Sequence, residues 1–285
     1  MEEKYFQVEQ LLLEFRRVVV AYSGGVDSTF ILKAAVNTLG RSNVLAVTGR
    51  SPSVASAELE DAKRYARMIG ADHEIIDTEE FDNPDYVANP TNRCYYCKTT
   101  LYEHLSRIAG VKGFRVVVNG TNADDLTDFR PGLRAAEEYR VRSPAAEAGM
   151  GKKEIREWHM RWGLPIHDKP AAPCLSSRVQ YGETITSEKL RRIEAAESFL
   201  RELGFRECRV RLHDSIARLE IPPADFARLL QDGLAARIDA RFRELGFRYA
   251  TLDLRGFRSG SMNDVVKLRL GKRGRESFDE STGLG

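Results

Sequence analysis

The sequence predicts an α/β fold: a parallel sheet with helices on both faces, followed by a smaller α+β domain. Three observations predict it. Short β-branched runs alternate with helical segments as far as Val118. The run Val18-Val19-Val20-Ala21 stops at a glycine turn, Ser23-Gly24-Gly25, and the helical pattern Thr29–Val36 follows at once. The Pro-rich connector Lys169-Pro170-Ala171-Ala172-Pro173 then separates this alternation from a stretch read as helix, strand, strand, helix, strand.

Taken in order, residues 5–16 predict a helix, with Val8, Leu11, Leu12 and Phe15 on one face. Strand 17–22, helix 28–39 and a strand from Asn43 to Thr48 come next. Ala55 to Ile69 is helical and ends at Gly70, a suitable C-cap. His73 to Ile76 reads as a third strand, Lys98 to Ala109 as a helix, and Phe114 to Val118 as a fourth strand. In an open sheet of this kind ligands bind at the carboxyl ends of the strands, where Ser23–Ser28, Thr48–Ser53 and Asn119–Asp125 gather. Helix 151–162 leads to the connector. Beyond it come helix 187–203, a hairpin of Glu207–Leu212 and Ile216–Ile221 turning at His213-Asp214-Ser215, a long helix from Pro222 to Leu245, and a strand from Tyr249 to Leu254. The expected domains are 1–170 and 171–270, with 271–285 a Gly-, Arg- and Glu-rich disordered tail.

Composition narrows the function classes. A chain of 285 residues has room for two domains, and its net charge of +2 gives no general push toward nucleic acid or membrane. No apolar stretch approaches the roughly 20 residues of a membrane span. Met1-Glu2-Glu3-Lys4 lacks the basic and then apolar segments of a signal peptide, so the cytoplasm is the expected compartment. There, four cysteines read as ligands, reactive thiols or buried packing rather than as a disulfide framework.

A strand feeding a glycine turn that opens a helix is an anion site, because unpaired backbone N–H groups and the helix dipole converge there. Gly24 and Gly25 permit close approach and positive φ, and Ser23 and Ser28 add hydroxyls. Asp27 would repel a phosphate unless a cation such as Mg²⁺ lay between them. No Lys precedes Ser28, so this is not a Walker loop. The hexapeptide Ser23-Gly24-Gly25-Val26-Asp27-Ser28 resembles the signature of the PP-loop family, which splits ATP between its α and β phosphates and adenylates a second substrate. Asn119-Gly120-Thr121-Asn122-Ala123-Asp124-Asp125, just past the fourth strand, reads as a second nucleotide loop. There Asp124 or Asp125 would hold Mg²⁺ through water, or would cap a helix. Thr48 closes the second strand, where a nucleobase or α-phosphate contact or a simple loop would fit.

Cys94-Tyr95-Tyr96-Cys97 lets two thiolates point at one metal. Cys174 offers a third sulfur if the connector folds back, and three thiolates leave one iron of a [4Fe–4S] cluster open. A zinc site would need a fourth ligand such as His159 or His167. A redox pair would need only Cys94 and Cys97, and simple packing of Cys97 at a helix start needs neither. Cys208 reads as structural. Arg209 and Arg211 alternate along a strand and so share one face, suited to a phosphate or to solvent. Arg258 lies in a Gly-rich loop of the same character.

The series SGGVDS, NRCYYCK, NGTNADD, RPGLRA, PAAPCLSSR, YGETIT, RVRLH and TLDLRGFRSGSMN resembles the LarE family over about residues 10–270. These are ATP-dependent sulfur transferases that build the nickel-pincer nucleotide of lactate racemase. The resemblance implies adenylation of the carboxylates of a pyridinium-3,5-biscarboxylic acid mononucleotide and replacement of oxygen by sulfur. It places the PP-loop residues on Ser23, Gly24, Gly25, Asp27 and Ser28; the reading of the residues adds Val26, Thr48, Gly120 and Asp124 to the expected ATP site. The sulfur-bearing residue falls on Cys174, phosphate-binding arginines on Arg209, Arg211 and Arg258, and the acidic residue before them on Glu197. One form of the family gives up its own cysteine sulfur; the other resembles tRNA thiolases in holding a [4Fe–4S] cluster on three cysteines with a free sulfide. Cys94 and Cys97 ally this chain with the second form. Further implications are a sulfide or sulfur donor, a hexamer, and no membrane or nucleic-acid partner. A tRNA 2-thiolation enzyme and an NAD- or GMP-synthetase-like amidotransferase are the alternatives, the first opposed by the near-neutral charge and the second by the thiols.

Overall fold

A computed structural model describes residues 1–127, 131–231 and 233–258. The expected tail 271–285, Ser259-Gly260-Ser261 and Arg130 of the RPGLRA motif lie outside the described residues. The chain forms two compact units, Met1–Cys174 and the residues from Leu175 onward. The division falls after the Pro-rich connector because the connector is fastened to the first unit. Arg156 donates to the carbonyls of His167 and Lys169, the second at 2.9 Å.

In the first unit α1 (Glu2–Phe15), β1 (Val18–Ala21), α2 (Val26–Leu39), β2 (Val44–Arg50), α3 (Ser56–Ile69) and β3 (Asp72–Asp77) alternate in chain order. They are followed by α4 (Pro84–Val87), α5 (Arg93–Lys112), β4 (Val116–Val118), α6 (Gly132–Glu138), α7 (Pro144–Glu147) and α8 (Lys152–Arg161). The four strands pair in parallel in the order β3-β2-β1-β4, with Val18 opposite both Val44 and Val116. Alternation along β1 sends Val18 and Val20 into a core with α1, α2, α3 and α8, and Val19 and Ala21 into another with α5 and α6. The sheet is therefore buried on both faces, as parallel sheets are.

Two elements differ from expectation. The fifth helix starts at Arg93 rather than Lys98, so both Cys94 and Cys97 are helical. Tyr, Cys and Asn are indifferent helix formers, and it is the buried Arg93, bonded to Asn89 Oδ1 at 2.6 Å, that anchors this first turn. In the second unit α9 (Ser187–Glu202), β5 (Arg209–His213) and β6 (Ile216–Glu220) follow the predicted order, and Asp214 takes the positive φ of the hairpin turn. The long helix expected from Pro222 is instead a short α10 (Phe226–Leu229) and a separate α11 (Leu234–Glu244). The left-handed Gly233 (φ +70°) stands between them and cannot continue a helix. The last strand, β7 (Tyr249–Leu252), pairs parallel to β6, and β5 pairs antiparallel to it. Among the described residues no helix is long and apolar enough to cross a membrane.

Candidate active site

The nucleotide turn is held in shape by its own hydroxyls. Ser28 Oγ donates to the Gly25 carbonyl at 3.2 Å and accepts from the Ser23 amide at 3.2 Å; the two serine hydroxyls lie 3.0 Å apart. Only one of the two glycines has positive φ. Gly24 is at +71°, and a Cβ there would lie 2.7 Å from the Cα of Ala62 on α3. Gly25 has ordinary extended backbone and serves as the N-cap of α2, so Asp27 stands inside the first helical turn. The N–H groups of that turn are therefore presented without a side-chain cap, as an anion site requires.

The second loop meets this turn directly. A Cβ on Gly120 would lie 2.5 Å from the amide nitrogen of Ser28, which no side chain permits. Asn119 ties the loop to the cysteine helix by donating to Tyr102 Oη at 3.2 Å, while its Oδ1 accepts from Thr121 N and Ser143 Oγ. Asp124 does what its alternative reading required: Oδ2 accepts from the amide of Lys152 at 2.8 Å and completes the N-terminus of α8. That bond engages one of the two carboxylate oxygens of Asp124. Buried Asp125 pairs with Lys152 Nζ at 3.0 Å. The expectation for Thr48 is corrected. Its buried hydroxyl donates to the Tyr22 carbonyl at 2.7 Å and lies 2.8 Å from His73 Nε2, so it braces three strand ends and is not presented to a nucleotide.

Cys94 and Cys97 occupy the first turn of α5, one exposed and one half-buried, and Cys174, also exposed, ends the same unit. Burial pushes the Cys97 thiol well above its ordinary value, and the nearby charges of Glu80, Cys174 and Cys94 add to the rise while Lys98 opposes it. Cys97 is thus within electrostatic reach of Cys94 and of Cys174, although among the described residues no three His, Cys, Asp or Glu side chains are gathered tightly enough to hold a metal ion. The donor set suits iron or zinc in chemistry, being soft thiolates that a bound cation would keep deprotonated. His159 is not available to such a site. It is fully buried with Nε2 on the carbonyl of Val26 at 2.8 Å, and His167 Nδ1 lies 3.2 Å from the Leu164 carbonyl.

In the second unit, Glu197 is buried and forks onto Arg178, with contacts of 2.8 and 3.2 Å, while Oε1 also accepts from the amide of Val210. It is a positioning residue for Arg178 in this arrangement rather than a free acid or base. Arg211 is likewise buried in a fork on Glu220, at 3.1 and 3.0 Å, and donates to the Ser177 carbonyl at 2.6 Å. Arg209 differs: among the described residues it has no carboxylate partner. Its guanidinium lies 4.5 Å from the Phe257 ring centroid and donates to the Arg258 carbonyl at 3.1 Å. Burial, then the charges of Arg211 and Arg178, lower its pKa to about 10. A buried cation beside two others is where an incoming phosphate gains most. Cys208 Sγ donates to the Glu197 carbonyl at 3.7 Å, in keeping with a structural role.

A family model described as NAD synthase matches residues 6–86. An uncharacterized protein of Synechocystis is 47% identical over 266 residues, 93% of this chain and 99% of its own length. The pyridinium-3,5-bisthiocarboxylic acid mononucleotide synthase of Lactiplantibacillus plantarum is 40% identical over 256 residues, 90% of this chain and 92% of that enzyme. The chain belongs to the LarE family. LarE proteins are ATP-dependent sulfurtransferases of the PP-loop class. The likeness of this LarE chain to a tRNA-specific 2-thiouridylase of Xanthobacter autotrophicus is partial, 30% identity covering 64% of the chain and 56% of that enzyme.

Three contributors to this LarE site escaped the sequence reading. Lys169 contacts the nucleotide turn from within the connector. His159 reaches the same turn from α8. Glu80, buried and bonded through Oε1 to Ser51 Oγ at 2.5 Å and Ser53 Oγ at 3.1 Å, lies near Cys97. None stands in a motif or at a telling spacing. Lys98 lies inside NRCYYCK; Tyr102 and the thiols Cys97, Cys94 and Cys174 hold its ammonium above the usual range against the pull of burial.

Proposed function

We propose that this enzyme adenylates the carboxylates of pyridinium-3,5-biscarboxylic acid mononucleotide and exchanges oxygen for sulfur. The observation that supports this reading best is the presence in one unit of a glycine turn with uncapped helix-start amides and of the three cysteines Cys94, Cys97 and Cys174. The chain's similarity to a bisthiocarboxylic acid mononucleotide synthase runs over nearly its whole length. A substrate carboxylate oxygen attacks the α-phosphorus of ATP, and pyrophosphate leaves. Hydrosulfide then attacks the acyl carbon and AMP leaves, giving the thiocarboxylate. A carboxylate resists direct attack by sulfide; the adenylate supplies the leaving group.

In this reading the amides of Gly24, Gly25 and Val26 and the hydroxyls of Ser23 and Ser28 receive the phosphates. Asp27 would hold Mg²⁺, which when bound would supply positive charge to the pyrophosphate leaving group. Arg209, with Arg258 and the Glu220-bound Arg211, takes the substrate phosphate. Cys94, Cys97 and Cys174 would hold a [4Fe–4S] cluster; when bound, its open iron would carry sulfide. A sulfur donor, a hexamer and a cytoplasmic location belong to the same reading. The experiment is anaerobic purification with iron and sulfide analysis, followed by turnover with added sulfide. Cys94→Ala, Cys97→Ala and Cys174→Ala are each expected to lose the brown chromophore and thiolation together, and reacted wild type keeps its full polypeptide mass. Full activity in Cys94→Ala, with loss of one H₂S from Cys174, would make the protein a single-use sulfur donor instead.

A further inference from the structure

Lys169 is the first residue of the connector that ends at Cys174, and its ammonium is inside the first unit rather than in solvent, with 12% of its side chain exposed. Nζ donates to Asp61 Oδ2 at 2.7 Å and Glu58 Oε2 at 2.8 Å, both on α3, and reaches the carbonyl of Gly24 at 3.4 Å. The three protons of the ammonium are thereby matched to three oxygens. The Gly24 contact is the longest of the three, so the two carboxylates fix the ammonium and the turn's carbonyl takes what is left.

The surroundings make this more than a surface pair. Helix α3 is the element against which Gly24 packs so closely that no Cβ fits, so Glu58 and Asp61 belong to the wall of the phosphate turn. Two carboxylates in that wall would oppose a triphosphate, and Lys169 is the cation that offsets them. On its other side the backbone of the same residue is gripped by Arg156 of α8 at 2.9 Å. One residue therefore joins the phosphate turn, its wall and the segment leading to Cys174.

We propose that Lys169 is a positioning residue, which sets the charge beneath the phosphate turn and couples occupation of that turn to the placement of Cys174. The inference rests on the ATP-dependent sulfur transfer proposed above. ATP arriving at the Gly24–Val26 amides changes the field at the Gly24 carbonyl, and Lys169 transmits the change along the connector that begins with it.

The test compares wild type with Lys169→Met, which keeps the length without the charge, and Lys169→Arg, which keeps the charge. Three quantities are read: ATP affinity by calorimetry, the alkylation rate of Cys174 by peptide mass analysis with and without ATP, and the melting temperature. ATP affinity is expected to fall about tenfold or more in Lys169→Met, the size of one lost charge-assisted contact, and to recover largely in Lys169→Arg. ATP should change the alkylation rate of Cys174 in wild type and in Lys169→Arg but not in Lys169→Met. Glu58→Gln with Asp61→Asn in the Lys169→Met background should restore the melting temperature and ATP affinity while leaving alkylation insensitive to ATP. A drop in melting temperature alone, with ATP affinity and the ATP effect on Cys174 intact, overturns the proposal. Failure of the wild type to release pyrophosphate with the pyridinium substrate would count against the proposed reaction, and the ATP-binding comparison would still decide the role of Lys169.

Discussion

His159 donates from Nε2 to the carbonyl oxygen of Val26 at 2.8 Å, so a buried imidazole on α8 holds the first residue of the helix that opens the nucleotide turn. Burial lowers its pKa to about 4; the bond to Val26 works against that shift, and the charges of Arg156 and His167 reinforce it. Because the folded value is depressed below the ordinary 6.5, the unfolded chain binds the extra proton first. The stabilisation is complete above about pH 6.5 and is lost as pH falls toward 4. It amounts to about 3 kcal/mol at most. Urea unfolding at pH 7.5 and pH 5 should show this loss in wild type and a shallower one in His159→Gln, which keeps a donor without a titrating ring. Equal pH slopes in the two proteins would assign the acid sensitivity elsewhere.

Gly120→Ala places a methyl where the backbone of Ser28 already stands, 2.5 Å from its amide nitrogen. The second loop must move off the start of α2, at a cost of about 1–3 kcal/mol for the overpacking. ATP affinity should drop more than stability does if the start of α2 receives the phosphates as proposed, because the displaced backbone belongs to that helical turn. Calorimetric titration beside thermal melting separates the two, and an unaltered Kd for ATP would show that the contact is mere packing.

Arg209 and Arg211 share a strand face but should fail differently. Arg211→Ala strips the fork from the fully buried Glu220, which Arg218 also contacts, and should destabilise the second unit by about 3 kcal/mol. Adding Glu220→Ala should return much of that. Arg209→Ala removes no carboxylate's partner among the described residues. It should raise KM for the phosphate-bearing substrate about ten- to a hundredfold with little change in KM for ATP. Denaturant melts and steady-state kinetics on both variants check the contrast; equal destabilisation would remove the distinction.

Asp27→Asn should abolish release of pyrophosphate while the protein stays folded. Gly25, not Asp27, is the cap of α2, so the substitution removes no helix cap, and the lost first-turn charge costs about 0.5 kcal/mol. A folded variant that still cleaves ATP at the wild-type rate would exclude Asp27 from holding the cation.

The elements and sheet of the first unit were legible because β1 and β4 are valine runs closed by a glycine turn and an asparagine turn, and Gly70 ends α3 in the left-handed conformation it suggested. The nucleotide turn was legible for the same local reason. What escaped depends on partners far away in sequence. Thr48 has the right chemistry for a nucleotide, yet its hydroxyl is taken by Tyr22 and His73. Lys169 looked like one more charge in a Pro-rich link, since no periodicity marks a residue whose partners are Glu58 and Asp61. The RVRLH alternation foretold a shared face but not that Glu220 on the neighbouring strand would claim one of the two arginines.

Helix α8 has a consequence for the order in which the first unit assembles. Its N-cap is Gly151, which has no side chain to offer, and the missing acceptor comes from Asp124. Its histidine closes onto Val26 across 133 positions of sequence, and its arginine holds the carbonyl of Lys169. A ten-residue segment with so few local supports is marginal by itself and forms only after its distant partners are in place. Beyond the Glu154 contact to the Gly151 amide, the supports of helix α8 are distant in sequence, which predicts that it closes late in folding and that the turn at Val26 gains its backing from His159 with it. Native-state hydrogen exchange should find the amides of α8 opening together with those of Val26–Thr29, and ATP should slow exchange in both segments by the same factor.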